Sequence, residues 1–183
     1  MNYSTVSPSC IGRGLGYGML SRMANTQQTS PHFPDSFYRV GIKGLCVRDG
    51  KILLSYDTTN FVGGQEVAAW ELPGGGMDFG ETFRETLARE LREEAGLTLT
   101  EMAERPTYLW TCKKTNARGM DWHYALLLAF RCEVRDLAIT PTPECEEVRF
   151  FTKEELQTLP LSDQGEQLRA LFNPADFDSA AIN

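Results

Sequence analysis

Between Gly80 and Leu97 the chain reads GETFRETLARELREEAGL, with its acid concentrated rather than spread. The stretch Glu81 to Ala95 contains neither Pro nor Gly and is rich in good helix formers, and Gly96 stands ready to cap its C-terminus, so a helix is expected there. At about 100° per residue, Glu90, Glu93 and Glu94 share a wedge of roughly 100°, while Phe83, Leu87, Leu91 and Ala95 form an adjacent apolar stripe. Like charges three or four residues apart repel by about 0.2–0.5 kcal/mol per pair. A helix selected for stability alone would not gather them, so this flank is expected to bind something cationic.

Three or more hard oxygen ligands with no Cys or His cluster beside them suit Mg²⁺ or Mn²⁺ rather than zinc. Such an ion typically bridges protein carboxylates to phosphate oxygens, which would bring a phosphate-bearing ligand to a chain whose formal net charge is −7. Gly74, Gly75 and Gly76, just ahead of the helix, would let backbone approach ligand or metal closely.

The elements that must position this helix lie on either side. Residues 37–47, FYRVGIKGLCV, read as a strand, Asp49-Gly50 as a tight turn and KILLSY as the returning strand of a β-hairpin. A Gly-rich segment from Phe61 to Gln65 leads to AWELPGGG, where Pro73 and the glycines end a strand at Leu72. Further strands are expected at Leu97–Thr100, Pro106–Lys114, Trp122–Val134 and Val148–Phe151, and helices at Lys153–Thr158 and Asp163–Phe172. Strands interspersed with helices, yet partly joined by hairpins, predict an α/β fold with a mixed β-sheet. Residues 1–32 carry no periodicity and read as a flexible N-terminal extension, 33–175 as one domain and 176–183 as a tail.

Bulk properties bound the function. At 183 residues, 42% hydrophobic and 23% charged, the chain suits one ordinary folded domain. Its acidity argues against a partner bound through a nucleic-acid backbone, and no apolar run approaches the roughly 20 residues of a membrane span. Cys10, Cys46, Cys112, Cys132 and Cys145 are widely spaced without a C-x-x-C pair, as expected of reduced thiols in a cytoplasmic protein.

Gly75, Glu81, Arg89, Glu90, Leu91, Glu93, Glu94, Gly96 and Leu97 follow the spacing G-x5-E-x7-R-E-U-x-E-E-x-G-U, where U is aliphatic. The chain therefore resembles the Nudix hydrolase family at every fixed position of its signature, a match whose chance frequency is on the order of 10⁻⁹ to 10⁻¹⁰ per starting point. Leu72-Pro73-Gly74-Gly75, Asp78 before Gly80-Glu81, and EVRFFTKEEL at 147–156 extend the likeness over residues 37–172.

The resemblance implies an α/β/α sandwich using Mg²⁺ or Mn²⁺ to cleave a diphosphate linkage in a nucleoside diphosphate joined to another moiety, by attack of water on phosphorus. It makes Glu90, Glu93 and Glu94 metal ligands, completed by the Gly75 carbonyl. Glu81 becomes an auxiliary ligand or helix-entry partner, although on a helix begun at Glu81 it would face away from Glu90. Arg89, grouped with Glu93 as catalytic, would hold a glutamate through a bidentate pair. The base that deprotonates water is Glu93 or Glu90, with Glu144, Glu146 and Glu147 as the alternative.

Trp110, Lys113 and Arg118 are candidates for substrate contact, one through stacking and two through phosphate; core packing and a solvated loop are the bland readings. His123, in a strand apolar on both faces, reads as structural. The expected partner is a small nucleotide-like diphosphate, with no membrane or nucleic acid, and a homodimer is allowed. Two rival functions remain: a diphosphate isomerase, which would need Cys46 or Cys112, and a non-catalytic nucleotide-binding regulator, in which the acidic signature should be eroded.

Overall fold

The computed structural model describes residues 38–62, 65–115, 121–139, 141–142 and 144–178. The extension expected over 1–32 lies outside them. In chain order the elements are β1 Tyr38–Leu45, β2 Val47–Arg48, β3 Lys51–Val62, β4 Gln65–Glu71, α1 Phe83–Ala95, β5 Thr98–Met102, β6 Tyr108–Thr115, β7 Asp121–Arg135, β8 Glu147–Phe151, α2 Lys153–Leu156 and α3 Leu168–Leu171, then a 3-10 turn at Pro174–Phe177.

Two strands act as hubs of two four-stranded sheets. β7 pairs in parallel with β1, Ile42 opposite Leu128, and antiparallel with β6 and then β5 along successive stretches of its length. β3 pairs antiparallel with β2, β4 and β8. Because successive strand side chains point to opposite faces, the apolar residues of these strands sort into two cores. Leu45, Ile52, Leu54, Leu127, Ala129 and Phe151 join Trp70, Leu156, Leu168 and Phe172 in one. Ile42, Leu53, Phe130 and Cys132 join Leu87, Leu91 and Ala95 of α1 in the other. One core is closed by α1 and the other by the C-terminal helices, which is the α/β arrangement with mixed strand pairing that the sequence predicts.

Three expectations need correction. First, the hairpin forms only at its tip: Val47 and Arg48 fold back on Ile52 and Lys51 around Asp49 and Gly50, both at positive φ, whereas the body of the first strand pairs with β7. β1 and β7 bury apolar side chains on both faces, and such strands suit the interior of a sheet. Local pattern reveals that preference but not the partner.

Second, the acidic helix starts at Phe83 rather than Glu81. Thr82 is its N-cap, accepting the Glu85 amide while the Glu85 carboxylate accepts the Thr82 amide at 2.8 Å, a reciprocal capping box. Gly96, left-handed at φ 64°, closes the helix by donating to the Arg92 and Leu91 carbonyls.

Third, both C-terminal helices are single turns. Pro160 follows α2, and the backbone at 160–162 is used on β4 instead: the Trp70 amide donates to Pro160 O at 2.9 Å and the Ser162 amide to Trp70 O at 3.0 Å. The packed chain also runs past residue 175, since Phe177 is buried in the core shared with Phe172.

Candidate active site

Pro73 to Met77 lies along β1, with Gly44 N–H donating to Pro73 O, Ile42 N–H to Gly75 O and Met77 N–H to Val40 O, each at 2.9 Å. The three successive glycines answer to three different neighbours. At Gly74, with φ +114°, a Cβ would strike the Ile42 carbonyl; at Gly75 it would sit 2.5 Å from the Glu90 carboxylate; at Gly76 it would overlap the Arg39 guanidinium. α1 buries Thr86, Leu87, Leu91 and Ala95, which sets its acidic flank against this loop.

Two ion networks meet there. The buried one centres on Lys43, whose ammonium donates to Gly74 O and pairs with Glu71 Oε1 at 3.4 Å. Ser162 Oγ donates to the other Glu71 oxygen at 3.1 Å, and the Gly74 amide donates to Glu94 Oε2 at 3.1 Å. Burial pushes the Glu94 carboxyl up to about 7, Lys43 opposes that, and Glu71 and Glu90 add to it. Burial alone would lower the Lys43 ammonium, but Glu71, then Glu94 and Glu90, raise it, so it stays charged.

The second network centres on Arg89 and is more open. Arg89 takes Glu81 with Nε at 2.7 Å and Nη2 at 3.0 Å, and Nη1 reaches Glu90 at 2.7 Å and Glu93 at 3.3 Å. It also donates to Gly76 O at 3.1 Å. Hydrogen bonds from Arg89, with help from Thr86 and the Asp78 amide, hold the Glu81 carboxyl down at about 2. Because α1 begins after Glu81, that residue swings into reach of Arg89, which a helix begun at Glu81 would have prevented.

Glu81, Arg89, Glu90, Glu93, Glu94 and the Gly75 carbonyl are thus brought around one loop. Among the described residues, however, no three acidic or thiol or imidazole side chains stand close enough together to hold an ion as they are. The carboxylates are drawn apart onto two cations, Glu81, Glu90 and Glu93 toward Arg89 and Glu94 toward the Gly74 amide beside Lys43. The donor set still fits a hard divalent cation. Its groups are carboxylate and carbonyl oxygens, Glu90 packs where a side chain on Gly75 could not be, and Glu94 is half-buried and largely desolvated beside like charge that a cation would relieve.

Other candidates go elsewhere. Trp110 is buried, its indole N–H donating to Gln164 O at 3.1 Å, so its ring belongs to the core and not to a stacking platform. Lys113 is exposed on β6, and Arg118 lies outside the described residues. Glu144, Glu146 and Glu147 are exposed, but their loop is tied to the end of α1: Thr142 Oγ1 donates to Glu94 O at 2.8 Å and accepts the Cys145 amide at 3.0 Å. Cys46 is buried, its thiol pushed up to about 11 by burial, and Cys112 is half-buried on β6. The residues missed by sequence reasoning are Lys43, Glu71 and Ser162. A lysine inside the apolar run VGIKGLCV and a glutamate inside AWELP were the available signals.

The NUDIX domain pattern matches residues 37–172. The nucleoside triphosphatase NudI of Enterobacter sp. (strain 638) is 37% identical over 100 residues, which are 51% of this chain and 69% of that protein. The putative 8-oxo-dGTP diphosphatase 3 of Mycobacterium tuberculosis is 35% identical over 92 residues, covering 50% of this chain but only 41% of that protein. Among solved structures, the MutT NUDIX hydrolase from Burkholderia pseudomallei shares the fold with a TM-score of 0.56 at 23% identity, over 75% of this chain and 100% of that one. With the family pattern matched over most of its length and the acidic and arginine positions of the signature gathered at one loop, this chain belongs to the Nudix family of hydrolases acting on phosphoanhydride bonds.

Proposed function

We propose that this hydrolase cleaves a nucleoside diphosphate linked to a further moiety, with nucleoside triphosphates the first members of that class to try, and that it uses Mg²⁺ or Mn²⁺. What carries the reading is the packing of the Glu90 and Glu94 carboxylates against the backbone of Gly74 and Gly75, acid set where a phosphate-binding loop would otherwise be expected to favour cations. The names of the relatives, a nucleoside triphosphatase and an 8-oxo-dGTP diphosphatase, support the nucleotide.

Glu90, Glu94, Glu93 and the second lone pair of the Gly75 carbonyl would hold the cation, with Glu81 as its auxiliary; the ion would supply Lewis acidity toward phosphate oxygens. Glu93, half-exposed and held only by the 3.3 Å contact with Arg89 and a longer one to Arg92, is free to accept a proton from water, with Glu90 as second choice. Arg89 keeps Glu81 and Glu90 in register and so acts as a positioning residue. The exposed acids Glu144, Glu146 and Glu147 remain the rival base, carried on a loop anchored to α1.

The test is a panel of nucleoside triphosphates, oxidised dNTPs, ADP-ribose and nucleotide sugars, followed by chromatography of products. Turnover of at least one member should vanish in EDTA and return with millimolar Mg²⁺ or Mn²⁺ but not Ca²⁺. Full activity in chelator would end the metal assignment, and no turnover of any member would favour a nucleotide-binding regulator.

A further inference from the structure

Arg39 lies at the start of β1, where the Gly41–Gly76 bridge and the Val40–Met77 hydrogen bond hold the strand against the glycine loop. Its guanidinium rests directly over Gly76, in the space a Cβ would need. On the same residue Arg89 donates to the Gly76 carbonyl at 3.1 Å. The two arginines differ in what they satisfy. Arg89 is saturated by Glu81, Glu90, Glu93 and the Gly76 carbonyl, and Arg169 by Glu166 and the Leu159 carbonyl. Arg39 is exposed and, among the described residues, has neither a hydrogen bond nor a carboxylate partner.

A guanidinium retained for structure normally spends its five donors on carbonyls and carboxylates. One held over a glycine with its donors free, on a chain of net charge −7 and next to a loop lined by acid, is arranged for an anion that arrives with the substrate. A nucleotide's phosphate chain carries more negative charge than one divalent cation cancels, so a cation from the protein is still needed. Of the cations suggested by sequence, Lys113 sits on β6 and not on this loop, and Arg118 lies outside the described residues.

We propose that Arg39 is a substrate-binding residue that grips the non-reacting phosphate oxygens of the substrate, and that the third glycine of the loop exists to leave it room. This rests on the phosphoanhydride-hydrolase reading for the substrate's class, but not for the presence of an anion site. The atom a Gly76 side chain would meet is the tip of a flexible arm, so Gly76→Ala should displace Arg39 without disturbing the fold.

The experiment measures binding of imidodiphosphate in Mg²⁺ by calorimetry, and steady-state turnover of dGTP, for wild type, Arg39→Ala, Arg39→Lys and Gly76→Ala. Arg39→Ala should weaken imidodiphosphate and raise KM by about tenfold or more, with kcat within about threefold, the scale of losing a charge-assisted bidentate contact. Arg39→Lys should recover part of the loss, since it restores charge but not the planar fork. Gly76→Ala should shift in the same direction with an unchanged Tm. The KM effect should shrink as salt rises, because the group is exposed. Undiminished imidodiphosphate binding by Arg39→Ala, or a loss confined to kcat, would overturn the proposal. If wild type bound imidodiphosphate through Arg39 yet turned over no nucleotide, the anion site would stand and the substrate reading would fall.

Discussion

The Lys43 and Arg89 networks each set one cation among several carboxylates on the two flanks of a single glycine loop, yet the carboxyls they hold shift in opposite directions. Glu94, on the buried side, is driven up to about 7 by desolvation, while Glu81, on the open side, is held down at about 2 by direct hydrogen bonds from a guanidinium. The difference lies in geometry and water. Arg89 offers a planar fork that satisfies Glu81 bidentately at the surface, whereas Lys43 spends its donors on Gly74 O and Glu71 and leaves Glu94 with a single backbone amide. One side is built to position, and the other stores charge that only a further cation would relieve.

The sharpest way to break this comparison is Lys43→Met. Removing the ammonium leaves Glu71 buried and unpaired, which should cost about 3–5 kcal/mol in urea unfolding at pH 8. If the cost were no larger than for a change at Arg89, the buried network would carry no special strain.

Glu94→Gln comes next. Turnover with saturating metal should fall about 10²-fold or more, the scale of a lost electrostatic group. Stability should move the other way in chelator. The folded Glu94 carboxyl, at about 7, lies above its ordinary value near 4.5, so its proton favours the fold; that contribution is complete below about pH 4.5 and is lost as pH rises through 7. The glutamine variant has no such slope, so its advantage over wild type should open between those pH values. Parallel unfolding curves for the two proteins across that window would contradict the buried charge.

Arg89→Lys should have the smallest effect on folding. The charge stays and the bidentate pairing with Glu81 goes, so Tm should drop by a few degrees at most, because the pair is only partly buried and the retained ammonium still faces the same carboxylates. Turnover should nevertheless fall further than stability suggests, if register of Glu90 against Gly75 is what Arg89 provides. Equal losses in Tm and kcat would make it a structural residue alone.

The reaction class, the acidic helix face and the glycine loop were legible in the sequence because each is local. Nine fixed residues fall within 75–97, helical periodicity places Glu90, Glu93 and Glu94 on one flank, and Gly96 caps where its conformational freedom requires. The same arithmetic leaves Glu81 open, able to join the site only if the helix begins after it, since the cap at Thr82 depends on a side-chain hydrogen bond to Glu85 that periodicity does not register. Everything that needs distant partners was decided by tertiary packing. β1 left its apparent hairpin for β7, Trp110 was drawn into the core by the Gln164 carbonyl, and Ser162, 91 residues from Glu71, came to brace the carboxylate that holds Lys43. Composition and spacing say which residues can ionise or ligate; only packing decides which of them lose water or gain a partner, so that desolvation raises Glu94, the Arg89 fork lowers Glu81, and Arg39 is left uncommitted above the third glycine.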